Sequence, residues 1–118
     1  SRTPDAHDTQ GNPIFFETLE ARPIVIHYFA DWCKPCWHEV PEMNAFYHQV
    51  KGKIAVLGVN ADHLPQVQLK TVIQKMGIDF PVLEQDPGEK FGIMQIESLP
   101  MTVIIHPQQK KPDHRNRP

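Results

Sequence analysis

Residues 24–36 read IVIHYFADWCKPC, and they carry the strongest structural signal in the chain. Its first seven residues are apolar except for His27, which is typical of a buried strand. The strand leads directly to Cys33 and Cys36, the two cysteines of the chain. A buried strand that runs through Cys-x-x-Cys into a helix indicates a redox site, because the second cysteine lies within the first helical turn, close enough to form a disulfide.

Cys33 is expected at the start of that helix, where unpaired backbone N–H groups and the helix dipole favour an anion. This position favours the thiolate, which is the nucleophilic form of cysteine. Lys34 adds positive charge beside the sulfur, although a solvated lysine with little effect is an alternative interpretation. Pro35 is compatible with the first turn of a helix.

The composition is that of one globular domain. The chain has 118 residues, of which 40% are hydrophobic and 22% are charged. Its formal net charge of −2 does not indicate a nucleic acid or an acidic lipid surface as a partner. No apolar stretch approaches the ~20 residues that span a bilayer. Any export signal is expected to lie outside this chain, which starts with Ser1.

Hydrophobic periodicity predicts strands that alternate with helices. We expect strands over residues 24–30, 54–59 and 101–105. Helices are expected from Cys33 or Lys34, from near Pro65 with Asp62 or His63 as the cap, and from Asp86 to about Ile93. This alternation indicates a parallel core sheet with both faces covered.

The ends of the chain differ from its middle. Residues 1–13 are polar and contain Pro and Gly breakers, so we expect a flexible N-terminal segment. Residues 14–106 form the predicted folded domain. Residues 107–118 contain no aliphatic or aromatic side chain, which predicts a disordered polar tail.

With these elements in order, the chain resembles the thioredoxin superfamily, and above all its extracytoplasmic TlpA-like and DsbE-like branch. The resemblance implies an α/β, thioredoxin-like three-layer fold with a central mixed sheet. Four blocks carry it: PIVIHYFADWCKPC at 23–36, EVPEM at 39–43, VLGVN at 56–60 with GIDFPV at 77–82, and SLPMTVII at 98–105.

The resemblance implies an enzyme, a thiol–disulfide oxidoreductase that reduces protein disulfides by dithiol exchange. Cys33 would attack the substrate disulfide, and Cys36 would resolve the mixed disulfide. Pro100 would match the family's cis-proline, which faces the cysteine pair. The backbone of Leu99 would then bind an extended substrate segment, as in strand addition, and Trp32 would shield the pair.

The same resemblance implies the setting of the protein. It implies no cofactor, and its partners would be protein thiols or disulfides and an upstream redox protein. The location would be extracytoplasmic, either in a bacterial periplasm or anchored to a membrane and facing it. Pro35 matches the reducing members better than the strongly oxidising ones.

His27 and Glu39 are the supporting residues of this site. His27 occupies the strand position where many thioredoxins bury an acidic residue, so it is a candidate for proton transfer at the second thiol. The alternative is a core histidine that is hydrogen-bonded to backbone or water. Glu39 matches a helix glutamate of the branch, and its alternative is a solvated carboxylate that interacts favourably with the helix dipole.

The chain also departs from the family pattern, since the usual last strand and last helix have no counterpart after Ile105. We therefore expect a fold that is truncated at the C-terminus. The strand over residues 101–105 would then be an edge, which favours dimerisation or strand exchange.

A binding module that handles copper or zinc is the alternative function. A structural zinc site needs four ligands, and histidines would have to complete the two sulfurs. Two cysteine sulfurs also suit Cu(I). We assign no metal site, because no His-x3–5-His pair accompanies the cysteines.

Overall fold

The structure, a computed structural model, describes residues 2–93 and 95–107. The strands and the two longer helices that were predicted are present within one or two residues of the expected ends. The elements in chain order are β1 (Ala6–His7), β2 (Pro13–Ile14), α1 (Phe16–Leu19), β3 (Ile24–Phe29), α2 (Lys34–Val50), β4 (Ala55–Asn60), α3 (Gln66–Met76), α4 (Gly88–Phe91) and β5 (Met101–Ile105).

The strand β3 is the centre of a three-stranded sheet with the order β4-β3-β5. All six of its residues are buried. It pairs in parallel with β4 and antiparallel with β5. The mixed sheet implied by the family resemblance is confirmed, and the parallel sheet predicted from the alternation of elements is wrong. The four residues of α4 are too few to carry the chain back across the sheet, so β5 begins at the end where β3 and β4 finish.

The side chains of β3 alternate between two faces of the sheet, each with its own core cluster. Val25 and Phe29 pack with buried side chains of α2 and α3. Ile24, Ile26 and Tyr28 pack on the opposite face, where α1 and α4 contribute partly buried side chains. The sheet is therefore a middle layer between two helical layers, which is the predicted three-layer fold.

The N-terminal segment 1–13, predicted to be flexible, forms a hairpin of β1 and β2 where the structure describes it. Asp8 and Thr9 are buried within it. The Asp8 carboxylate accepts hydrogen bonds from the backbone N–H groups of Gln10 and Asn12, both at 2.9 Å. The polar residues that suggested flexibility thus form a tight, internally bonded turn.

The start of α3 also differs from the prediction. Pro65 is the N-cap residue and no side chain caps the helix, so neither Asp62 nor His63 has the expected role. Asn60 stabilises the preceding turn instead, because its side-chain oxygen accepts the Leu64 N–H at 3.0 Å. The fixed φ of proline suits the entry to a helix without a side-chain cap.

The described part of the chain ends just after β5, which pairs there with β3 alone. The predicted disordered tail, residues 107–118, lies outside the described residues except for Pro107. Within residues 2–93 and 95–107, no helix has both the length and the apolar character needed to cross a membrane.

Gly58 in β4 permits close contact between the sheet and the segment 80–83. A Cβ atom at this position would lie 2.8 Å from Cε1 of Phe80 and 3.1 Å from Cγ2 of Val82. We therefore predict that Gly58→Ala lowers the free energy of unfolding by about 1–3 kcal/mol, as measured in urea. The penalty should be smaller in a Phe80→Leu background, which removes the ring edge. Equal penalties in both backgrounds would contradict this steric explanation.

Candidate active site

Cys33 is the N-cap residue of α2, with an extended backbone at φ −90° and ψ 104°. The N–H of Cys36 donates to Cys33 Sγ at 3.2 Å and is shared with the Cys33 carbonyl oxygen at 3.0 Å. A sulfur therefore occupies the place that a serine or aspartate oxygen takes in most N-caps. Lys34 and Pro35 form the exposed first turn of the helix. A negative charge on this sulfur is stabilised by a backbone donor and by the helix dipole.

The two cysteines form a disulfide, with their Cα atoms 5.3 Å apart. Cys33 keeps 4% of its surface exposed, whereas Cys36 keeps none. Cys36 belongs to the core cluster on the α2 face of the sheet, together with Phe29 and Val40. Both cysteines are therefore buried, and Cys33 is the slightly more exposed residue of the pair.

Two tryptophans flank the disulfide. Trp32 is 68% exposed, and its Nε1–H donates to the Asp62 carboxylate at 2.9 Å. Trp37 is 37% exposed, and its Nε1–H donates to the backbone oxygen of Asp31 at 2.7 Å. Because both indole N–H groups already have acceptors, the exposed parts of these side chains offer apolar ring surface rather than donors.

The segment before β5 lies beside the cysteine loop. The peptide bond between Leu99 and Pro100 is cis. Met101 pairs with Tyr28 near the end of β3, so Pro100 lies where the chain leaves β3 for the cysteines. Leu99 packs against both core clusters. Among the described residues, the Leu99 backbone takes part in no backbone hydrogen bond.

His27 lies on the α2 face of β3, beneath the helix that carries the cysteines, and only 1% of it is exposed. Its Nδ1 is 2.9 Å from the Thr102 hydroxyl. Its Nε2 is 3.9 Å from the Glu39 carboxylate, whose side chain is 44% exposed. The Phe80 ring meets the imidazole edge-on, with 6.0 Å between ring centroids. Burial lowers the pKa of His27, because desolvation disfavours the imidazolium.

The structure brings the predicted site residues into two adjoining groups. Trp32, Cys33, Lys34, Pro35 and Cys36 form the loop and first turn of α2, and Leu99 and Pro100 lie at the neighbouring strand. His27 and Glu39 come together below them. Thr102 was not among the predicted site residues. It lies opposite His27 once β5 is paired with β3, and a polar residue at that position is the signal that could have identified it.

The alternative function, copper or zinc handling, requires a cluster of metal ligands. In residues 2–93 and 95–107, no three His, Cys, Asp or Glu side chains lie close enough together to hold an ion. No observation on the described residues therefore favours copper or zinc handling.

Comparison with known proteins gives the family. The family model called AhpC/TSA matches residues 3–110. The chain belongs to the AhpC/TSA family. The thiol-disulfide oxidoreductase ResA of Bacillus anthracis is 30% identical over 100 residues, which are 83% of this chain and 57% of ResA. The chain thus spans little more than half the length of this relative.

Solved structures of AhpC/TSA-like proteins share the fold. StoA from Bacillus subtilis superposes with a TM-score of 0.68 and 20% identity, over 86% of this chain and 77% of StoA. A secreted Mycobacterium tuberculosis disulfide oxidoreductase, homologous to E. coli DsbE, gives a TM-score of 0.62 and 15% identity, over 86% and 81% of the two chains. The family match and this shared fold together confirm the resemblance inferred from the sequence.

The lowered pKa of His27 predicts how stability depends on pH. Because the unfolded chain has the ordinary histidine pKa of 6.5, it binds more protons than the folded chain just below that pH. The free energy of unfolding should therefore fall as the pH drops from about 7 towards 5.5. His27→Asn should remove part of this fall in urea titrations at the two pH values. The exposed His38→Asn is the matched control, and an equal fall in all three proteins would refute the assignment.

Proposed function

We propose that this protein is a thiol–disulfide oxidoreductase that reduces disulfides in other proteins. The observation that carries the proposal is the position of Cys33, whose sulfur caps α2 and accepts the Cys36 N–H, and which is the more exposed residue of the pair. The similarity to ResA, which is a thiol-disulfide oxidoreductase, supports the same reaction.

The reaction begins with the reduced pair. The Cys33 thiolate attacks one sulfur of the substrate disulfide and forms a mixed disulfide, and the other substrate sulfur leaves as a thiolate that takes a proton. The amide N–H of Cys36 and the N-terminus of α2 stabilise the attacking anion. Lys34, exposed in the same turn, adds a positive charge on the solvent side.

The second step releases the substrate. The Cys36 thiol loses its proton and attacks Cys33 Sγ, so that the enzyme disulfide forms and the second substrate sulfur leaves. Two electrons have then moved from the enzyme pair to the substrate. We assign the Cys36 proton to His27, which lies on the α2 face of the sheet as Cys36 does, and we assign Glu39 to pass it on to solvent.

The substrate is an extended protein segment that carries the disulfide. We assign the Leu99 backbone, next to the cis Pro100, to pairing with this segment as an added strand, since it has no backbone hydrogen bond among the described residues. Trp32 directly precedes Cys33 and is largely exposed. Its ring offers an apolar surface to side chains near the substrate cystine.

The cellular setting follows from the proposed chemistry. Reduction leaves the enzyme oxidised, so an upstream redox partner must return two electrons to the Cys33–Cys36 disulfide. An extracytoplasmic location is supported by a structural relative that is a secreted disulfide oxidoreductase. Disulfides also persist in such compartments, where substrates for a reductase are present.

Cysteine variants test the reaction directly. We predict that the protein catalyses reduction of insulin by dithiothreitol, and that Cys33→Ser abolishes this activity. Cys36→Ser should retain the first step and accumulate a mixed disulfide through Cys33, visible by mass spectrometry, because the resolving thiol is absent. Trapping through Cys36 in a Cys33→Ser protein, or undiminished turnover without Cys33, would contradict the assigned roles.

The direction of electron flow has its own test. Pro35 between the cysteines matches reducing members of the superfamily, so we predict a midpoint potential below about −220 mV, in equilibrium with glutathione mixtures of known ratio. Such a couple donates electrons to strained or exposed protein disulfides, whose reduction potentials are higher. A value near −120 mV, typical of a strong oxidant, would reverse the proposed direction.

A further inference from the structure

Thr102 is paired with His27 across the sheet. The two residues lie directly opposite each other in the antiparallel register of β3 and β5. The Thr102 hydroxyl oxygen is 2.9 Å from His27 Nδ1. Side chains opposite each other on one face of such a pair are held by both strands, so the contact is fixed by the fold rather than by a flexible surface group.

The other ring nitrogen faces a group of a different kind. Nε2 of His27 is 3.9 Å from the carboxylate of Glu39, which lies one helical turn after Cys36. This carboxylate is the one acidic group within 4.0 Å of the imidazole among the described residues. Two further neighbours, Phe80 in a T-shaped contact and Gly58 on the paired strand β4, carry no titratable group.

A hydroxyl differs from most hydrogen-bond partners in that it can donate or accept. When His27 carries its proton on Nε2, the Thr102 O–H donates to Nδ1. When the proton is on Nδ1, or on both nitrogens, the same oxygen accepts the Nδ1–H. Nδ1 thus keeps a hydrogen-bond partner in every protonation state of the ring.

We propose that Thr102 is the positioning residue that allows His27 to work as a proton relay beneath the Cys33–Cys36 pair. The inference rests on the proposed thiol–disulfide exchange and assigns a role within the same site. The Cys36 thiol gives its proton to Nε2 of neutral His27, and the Thr102 oxygen accepts the Nδ1–H of the resulting imidazolium. The proton then passes to the Glu39 carboxylate and to water, while the Cys36 electron pair forms the bond to Cys33.

Thr102→Val removes the hydroxyl at nearly constant shape and keeps a β-branched side chain in the strand. Nδ1 then has no acceptor, so His27 should be held with its proton on Nε2, facing Glu39. The rate at which Cys36 resolves a preformed Cys33 mixed disulfide should fall about tenfold at pH 7, as expected for one lost hydrogen bond to a charged group. The rate should recover at higher pH, where the thiol ionises without help.

The experiment combines stopped-flow resolution rates between pH 5.5 and 9 with the ¹⁵N shifts of the His27 ring in the reduced protein. The wild-type ring should show shifts averaged over two tautomers, and Thr102→Val should show one tautomer. Thr102→Ser should restore both readouts. Thr71→Val is the matched control, because the Thr71 hydroxyl donates to the Val67 carbonyl within α3. This variant should change neither the resolution rate nor the ring shifts.

Two results would overturn the inference. One is a Thr102→Val protein whose ring shifts equal those of the wild type. The other is a rate loss of equal size at every pH, which indicates a general structural defect. If wild-type protein shows no disulfide exchange at all, the proposed function fails, while the ring shifts still decide whether Thr102 sets the tautomer of His27.

Discussion

The hydrogen bond from the Cys36 N–H to Cys33 Sγ is the interaction on which the site depends. It exists because β3 ends and α2 begins within five residues, so that Cys33 falls at the N-cap with an extended backbone. A shift of one residue in the start of α2 would move the sulfur away from the helix dipole and the free N–H groups of the first turn. The strand–helix junction therefore sets the chemistry as well as the path of the chain.

The strand β3 connects this junction to the rest of the molecule. Its alternating side chains enter both core clusters, and its two neighbours bring in the other parts of the site. On one side of β3, the strand β5 contains Thr102 and follows directly after Pro100. On the other side, the parallel strand β4 completes the sheet. Because β3 is wholly buried, these partners are held in a rigid register, and small displacements at the site would require repacking of the core.

Much of this arrangement could be predicted from the sequence, since the strong signals were local. The apolar run before Cys33 and the hydrophobic periodicity of the later strands and of the two longer helices each identify an element by its own period. The hairpin around Asp8 could not be predicted in this way. Its turn-forming residues also occur in flexible segments, and its burial depends on a bridge to Leu83, which is far away in sequence.

The candidate site shows the same limit. The cysteines and their neighbours are contiguous, so their proximity follows from the sequence alone. The direction of β5 is set by the short α4, and this direction decides which side chain lies opposite His27. Thr102 was therefore missed, because its role depends on a pairing between residues 75 positions apart.

Two titratable side chains are buried in β3, and their surroundings differ in a way that points to function. The Tyr28 hydroxyl donates to Asp86 at 2.8 Å, and the same carboxylate oxygen accepts the Gly88 N–H that starts α4. Burial and the hydrogen bond to Asp86 both raise the pKa of Tyr28, so the hydroxyl stays protonated. Through Asp86 it links β3 to the start of α4.

His27, on the opposite face, has partners that do not fix its charge. Thr102 can donate or accept, and Glu39 lies beyond hydrogen-bond distance and is partly in solvent. Burial lowers the pKa of this imidazole and so favours its neutral form. An apolar residue would pack here without any desolvation penalty. We propose that the polar partners of His27, on the face next to the cysteines, serve proton transfer at the redox pair, whereas the hydrogen bond of Tyr28 on the other face serves stability.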